Sequence, residues 1–236
     1  AAARYAADDI LRRGKTPVFC GGTGLYLDSA IAGDRFAEIK CDAALREKLS
    51  ARTPAENHLE LQKIDPISAA AIHPNNTKRV IRALEIYIAT GIPKSEWDER
   101  SRSIPPYYHA HIVGLDYRLR RTLYDRIDRR VDLMLEAGLE DEVRSLAEDG
   151  AFGDIERSTA ACAIGYKELL DYFAGRCTRA EAVELIKQLS RNYAKRQRTW
   201  FYKNPDIKWI YNDDFDLEEA EQRQKYVNII LTMLNC

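Results

Sequence analysis

The sequence predicts an α/β fold built on a parallel sheet, with an all-helical subdomain inserted into it. Three observations carry this. The opening residues run helix, strand, glycine turn, helix, which is the rhythm of a parallel sheet. From Asp42 to Arg102 the apolar pattern is helical throughout. Strand-like segments return at His111–Tyr117 and Ile207–Tyr211, with further helices between them. The expected organisation is an α/β core from residues 1–39 and 106–236, with residues 40–105 as the insertion.

In order, residues 2–13 read as a helix with Tyr5, Ile10 and Leu11 on its apolar side and Gly14 at its end. Thr16-Pro-Val-Phe-Cys20 reads as a short buried strand, and Gly21-Gly-Thr-Gly-Leu-Tyr26 turns straight into a helix over about 24–32. Glycines such as Gly22 let a ligand approach the backbone, a helix N-terminus favours anions, and Thr23 places a hydroxyl there. The same turn would also serve as a plain tight connection. It is not a Walker motif, since no Gly-Lys-Ser/Thr follows.

Further helices are expected at 42–51, 55–63, 67–72 and 76–90, the last ended by Gly91 and Pro93. Its buried stripe is Val80, Leu84, Tyr87 and Ile88, while Lys78, Arg79 and Arg82 gather near its start. Cations in a first helical turn oppose the macrodipole, which suits either an anionic partner or full solvent exposure. Residues 103–110 form a connector. A helix over 120–136 carries Leu123, Ile127, Val131 and Met134 or Leu135 inward. Its Arg126 and Arg130 lie among Asp125, Asp128, Arg129 and Asp132, the mixture of a salt-bridged face. Helices at 139–148, after Cys162–Lys167, at 179–203 and at 217–234 complete the chain.

Composition sets limits. The 236 residues suit one large domain or two small ones, and 45% apolar with 31% charged content describes a soluble globular protein. A net charge of −1 means that any nucleic-acid role must rest on local clustering. The cysteines (Cys20, Cys41, Cys162, Cys177, Cys236) are scattered without a CxxC pair, as in a cytoplasmic protein with reduced thiols. No apolar run approaches a membrane span, so no membrane partner is expected. His58, His73, His109 and His111 lack ligand spacing and read as structural or exposed. The opening Ala-Ala-Ala-Arg-Tyr, without an initiator Met, reads as a fragment or a processed chain.

The most informative stretch is Leu189–Lys203, which holds five cations and no acid. At about 100° per residue, Arg191, Lys195, Arg198 and Tyr202 share one helical face. Leu189, Tyr193 and Trp200 share the opposite one, and Arg196 falls among them. A solvated helix with snorkelling cations would also fit. Cations beside aromatics recur at Lys78–Arg82, Tyr166-Lys167 and Lys195–Tyr202, a combination that holds phosphates and stacks on unpaired bases. The residues thus point to an α/β protein handling a phosphorylated, nucleic-acid ligand.

Five stretches in order resemble the bacterial tRNA dimethylallyltransferase (tRNA isopentenyltransferase) family. They are Gly21-Gly-Thr-Gly-Leu-Tyr26, His73–Tyr87, Arg126-Ile-Asp-Arg-Arg-Val-Asp-Leu-Met134 with Gly138-Leu139, Ala163-Ile-Gly-Tyr-Lys-Glu168 and Tyr193-Ala-Lys-Arg-Gln-Arg-Thr-Trp-Phe201. The resemblance implies transfer of a dimethylallyl group from dimethylallyl diphosphate to N6 of the adenosine beside the tRNA anticodon. It implies Mg2+, a P-loop-type core that is incomplete here, and a chain expected to act as a monomer on the anticodon stem-loop. By motif, Thr23 lies in the active-site loop and is expected to touch the base, the diphosphate with Gly22 and Arg196, and the metal. Arg46 matches a tRNA contact. So do Lys78, Arg79, Val80, Ile81 and Arg82; Cys162, Ala163, Ile164, Gly165, Tyr166 and Lys167; and Lys195, Arg196, Gln197, Arg198, Thr199, Trp200, Phe201 and Tyr202.

Cys162 departs from the polar or basic residue common in the family. The family's P-loop and the aspartate base that follows it have no counterpart in the sequence. The expectation is therefore a C-terminal portion of the enzyme, inactive alone. The alternatives are a non-catalytic RNA-binding remnant and a small-molecule kinase-like protein without RNA. Arg191, Lys195, Arg198 and Tyr202 are expected to face RNA or solvent, and Arg196 the reaction channel.

Overall fold

The computed structural model describes residues 2–31, 42–153, 158 and 160–234. The expectations for Cys41 and Cys236 lie outside them. Two compact units divide the chain: Ala1–Gly21 with Leu25–Ala110, and Gly22–Gly24 with His111–Cys236.

The first unit is helical. Helix α1 (Ala2–Arg12) buries Ala7, while Tyr5 and Leu11, expected on its apolar side, are exposed. Arg4 of α1 reaches the last carbonyls of α2 (Gly24–Ile31), donating to Ser29 O at 2.7 Å and Ala30 O at 3.1 Å. That is where a helix dipole favours a cation. Thr16–Cys20, expected as a buried strand, is irregular, and Val18 is 73% exposed. An apolar run becomes a strand only beside a neighbour that takes its backbone groups, and among the described residues none pairs with it.

The helical block follows the sequence closely. Asp42 caps α3 (Ala43–Ser50), and Thr53 with Glu56 forms a capping box on α4 (Pro54–Ile64). Asp65, 2% exposed, caps α5 (Pro66–Ala71) through Ser68 N. Its other oxygen accepts from Ser95 N at 2.9 Å, at the start of α7 (Lys94–Arg102). Burial opposes its charge, but these bonds to Ser68 and Ser95 prevail and hold the carboxyl below its usual range. Helix α6 (Thr77–Thr90) ends where Gly91 adopts φ +71°.

The core of this unit joins Leu49, Leu61, Ala69, Ile72, Val80, Ile81 and Leu84. The buried side of α6 is therefore Val80, Ile81, Ala83, Leu84 and Ile86, whereas Ile88, expected inside, is 50% exposed and Tyr87 only half-buried. The stripe is rotated because Glu85 also turns inward, to meet Arg46 and Arg82. His58 is structural as expected: its Nε2 lies 3.1 Å from Ala69 O and from Ile72 O.

The second unit carries the sheet. Strands β1 (Val113–Asp116) and β2 (Lys208–Tyr211) pair in parallel, Val113 opposite Lys208 and Asp116 opposite Tyr211. The α/β expectation is met by this one parallel pair among the described residues. Parallel strands need a long crossover, and α8 (Arg120–Glu136), α9 (Leu139–Glu148), α10 (Tyr166–Phe173) and α11 (Arg179–Phe201) supply it. Their core joins Val131, Leu139, Val143, Phe152, Leu169, Leu170 and Ile186. Helix α12 (Ala220–Met233) follows a 3-10 turn at Asn212–Asp214 and buries Tyr226 against Phe215. No helix among the described residues is long and apolar enough to cross a membrane.

Glu85 gives a pH test. Arg46 holds its carboxyl below the ordinary value of 4.5, against the effect of burial and with help from Arg82. A depressed carboxyl contributes stability above its unfolded value and loses it as pH falls through the folded one. Arg46→Met is expected to destabilise the protein by about 1–2 kcal/mol at neutral pH, since Arg46 is half-exposed and screened. Urea titrations across acid pH should show that gap closing below the glutamate range.

Candidate active site

Helix α11 organises the site. It starts on a capping box, Thr178 with Glu181, and buries Ala182 and Ile186 in the core. Its later turns carry the cations, and their partners sort them into two faces. Arg191 donates from one nitrogen to both Asp128 oxygens at 2.7 Å, and from the other to Glu184 at 3.0 Å. Lys187 meets Asp132 at 2.6 Å. Arg198 Nε donates to Asp116 Oδ2 at 2.9 Å, and the Tyr202 hydroxyl donates to the same oxygen. Asp116 is 5% exposed. The Tyr202 ring stacks on Trp209 of β2 with centroids 4.5 Å apart. The phenol's pKa is raised by burial and by Asp116; Arg198 is raised by Tyr202 and by the Asp116 charge.

Of the residues expected to face RNA or solvent, Lys195 and Tyr202 are exposed and Arg191 and Arg198 are half-buried. Three of the four are tied to carboxylates within the fold, and Lys195 alone is exposed without a described ion partner. Helical periodicity shows which residues share a face; it does not show that Asp116 and Asp128 arrive from 82 and 63 residues away.

The opposite face carries Tyr193, Arg196, Gln197 and Trp200, and two of these, Gln197 and Trp200, touch the glycine turn. Gln197 Nε2 donates to Gly22 O at 2.7 Å. A Cβ on Gly22 would stand 2.0 Å from that nitrogen, and one on Gly24 2.2 Å from Trp200 Cδ1. A side chain at Gly24 would strike the Trp200 ring, whereas one at Gly22 would displace the end of the Gln197 side chain. Thr23, between them, is exposed and stands immediately before the first residue of α2, whose first N–H groups favour an anion. Arg196 is exposed, its guanidinium 5.6 Å from the Tyr193 ring centroid. Spacings of three and four residues put it on the same side as Tyr193 and Trp200. The structure brings Gly22 and Gly24, with Thr23 between them, against Gln197 and Trp200.

Toward a divalent metal the turn offers one hydroxyl, that of Thr23, and no group of three or more His, Cys, Asp or Glu suited to a metal occurs among the described residues. A hydroxyl just before a helix N-terminus suits an anion.

The remaining candidates have surroundings of their own. Arg46 donates to both Glu85 oxygens at 2.7 and 2.9 Å, and Arg82 approaches at 3.3 Å. Lys78 and Arg79 are exposed, whereas Val80 and Ile81 lie in the core and offer a ligand no side-chain surface. In the segment before α10, Cys162, Ala163 and Lys167 are exposed, Ile164 packs on the core, and Gly165 is buried. The Tyr166 hydroxyl donates to Glu142, which raises the phenol's pKa. Thr199 turns its hydroxyl back to Lys195 O at 2.9 Å, and Phe201 is half-buried. Asp116 and Glu85 were not singled out from the sequence. Their only signal was a lone carboxylate at an inward position of an apolar strand or helix.

The comparisons with known proteins bear on this geometry. The profile of the IPP transferase family matches residues 1–204. The chain belongs to the IPP transferase family. Among similar proteins, the tRNA dimethylallyltransferase of Acetivibrio thermocellus is 46% identical over 217 residues, covering 90% of this chain and 68% of the relative. That of Geobacillus kaustophilus is 47% identical over 223 residues, covering 93% and 67%. The crystal structure of full-length tRNA isopentenylpyrophosphate transferase from Bacillus halodurans matches with a TM-score of 0.64 at 39% identity, over 99% of this chain and 72% of that one. A eukaryotic dimethylallyltransferase acting on tRNA matches with a TM-score of 0.73 at 31% identity, over 93% and 57%. All five stretches that carried the family resemblance lie within the IPP transferase match.

Asp116→Ala leaves a partly buried Arg198 without its anion. Urea unfolding is expected to show a loss of about 2–3 kcal/mol. Arg191→Ala should lower stability by about 1 kcal/mol while filter binding shows tRNA affinity unchanged within about twofold.

Proposed function

We propose that this protein transfers a dimethylallyl group from dimethylallyl diphosphate to N6 of the adenosine adjacent to the anticodon of tRNA. The observation that supports this most is the Gly22-Thr23-Gly24 turn, seated on α11 in a chain of the IPP transferase family. Relatives named tRNA dimethylallyltransferase match 90% and 93% of this chain.

The reaction joins the adenine N6 to the allylic carbon, breaks that carbon's bond to oxygen, and releases pyrophosphate and a proton. Negative charge gathers on the departing oxygen, so donors aimed there speed the step. We assign that task to Arg196, exposed on α11, and the exposed Thr23 hydroxyl can hydrogen-bond the amine or a phosphate oxygen. A stacked base cannot present its amine to such a corner, so the adenosine must leave the stack. Tyr193 and Trp200, each about two-fifths exposed, are the aromatic surfaces on that face. Mg2+ is the divalent ion a diphosphate would bring, held largely by the substrate's own oxygens.

The anticodon stem-loop is the partner we assign to residues 40–105. Lys78 and Arg79, exposed in the first turn of α6 where they oppose the helix dipole, are its phosphate contacts.

The direct test uses the complete gene product with dimethylallyl diphosphate and a tRNA carrying adenosine beside its anticodon. Nucleoside mass spectrometry should find one dimethylallyl group on that adenosine and none when guanosine replaces it. Intact diphosphate and unmodified tRNA at equilibrium would refute the assignment. Lys78→Ala and Arg79→Ala should each weaken tRNA binding and reduce its salt slope by about 1. An unchanged slope would remove them from the interface.

A further inference from the structure

We infer that Gln197 is a positioning residue of the transfer and makes no contact with RNA: its amide latches the Gly22 carbonyl and fixes where Thr23 stands on the Tyr193–Trp200 face of α11. This rests on the transferase reading above and assigns Gln197 a role that the tRNA-contact segment, taken as a block, does not.

The latch has two points, one on each side of Thr23. On one side Gln197 Nε2 donates to Gly22 O at 2.7 Å, across 175 residues of sequence. On the other the Trp200 indole lies so close to Gly24 that a Cβ there would be 2.2 Å from Cδ1. Gln197 is half-buried, and Thr23 between the two points is exposed. A three-residue turn held at both ends leaves its middle residue little freedom, so a hydroxyl that must meet a reacting amine or phosphate is placed before substrate arrives. The latch donor is a neutral amide. A Lys or Arg there would add a second cation beside Arg196 and draw the anion away from the turn. The helix behind the latch is itself fixed, because Arg198, the next residue, is bound to Asp116. Small displacements of a positioned group cost about 100-fold in rate, so such a support shows in turnover more than in affinity.

The test is a double-mutant cycle on Gln197→Ala, Gly22→Ala and the double variant, in the complete gene product. At saturating substrates each single variant should lose about 10- to 100-fold in kcat, while the tRNA dissociation constant stays within about twofold. The Gly22→Ala Cβ occupies the place of the Gln197 nitrogen, so the double variant should be no slower than the slower single one. Gln197→Glu, of equal size but without a donor, should behave as Gln197→Ala with an unchanged melting temperature. Amide hydrogen exchange gives a readout independent of turnover: Gln197→Ala should speed exchange across 19–25, and Arg196→Ala should not. Multiplying rate losses, a tRNA affinity loss at constant kcat, or unchanged exchange in Gln197→Ala would each overturn the inference. A wild-type protein that makes no prenylated adenosine yet shows the exchange difference would keep the latch and refute the transferase reading.

Discussion

A buried carboxylate, Asp116, decides how the C-terminal unit is put together. A charge taken out of water is tolerated only when donors surround it, and here Arg198 and Tyr202 of α11 both converge on one of its oxygens. Because Asp116 ends β1 and Tyr202 stacks on Trp209 of β2, this one cluster ties both strands to the helix. It also fixes the rotation of α11 about its own axis. Arg191, Arg198 and the Tyr202 hydroxyl are drawn to Asp128 and Asp116, and Gln197 and Trp200, roughly half a turn away at about 100° per residue, meet the glycine turn. The site is in this sense a consequence of where a structural anion is buried.

The N-terminal unit repeats the device. Glu85, 3% exposed at its side chain, is held by Arg46 and Arg82 and joins α3 to α6. Asp65 does the same through backbone N–H groups, joining α5 to α7. Cations that a sequence presents as a ligand-binding surface therefore divide into those already spoken for by the fold and those left over. In α6 the remainder is Lys78 and Arg79; in the last turns of α11 it is Lys195 and Arg196, the latter set among aromatics.

Helices were legible wherever caps and periodicity agreed. Gly14 after α1 and Gly91 after α6 mark ends that the structure keeps. The glycine turn and the oddly placed Arg196 were also legible, because a cation inside an apolar stripe and paired glycines before a helix are local patterns. Thr16–Cys20 was misread because strandedness depends on a neighbour, which no window of five residues contains. The inward turn of Arg191 and Arg198 was hidden for a related reason: their anions lie on α8 and β1. Gln197 entered only as one of the Lys195–Tyr202 block, and its bond to Gly22 was hidden, since a glutamine between arginines looks like any polar surface residue until its carbonyl partner is known.

The central claim is that α11 has one face that holds the fold and another that handles the substrate, set by the pairing of neighbouring arginines. The most direct measurement compares Arg196→Ala with Arg198→Ala by urea unfolding and by single-turnover transfer on the same preparations. The account predicts that Arg196→Ala keeps the unfolding midpoint and loses the rate, whereas Arg198→Ala moves the midpoint to lower urea. An Arg196→Ala protein that unfolds early while transferring normally, beside an Arg198→Ala protein of native stability, would contradict it.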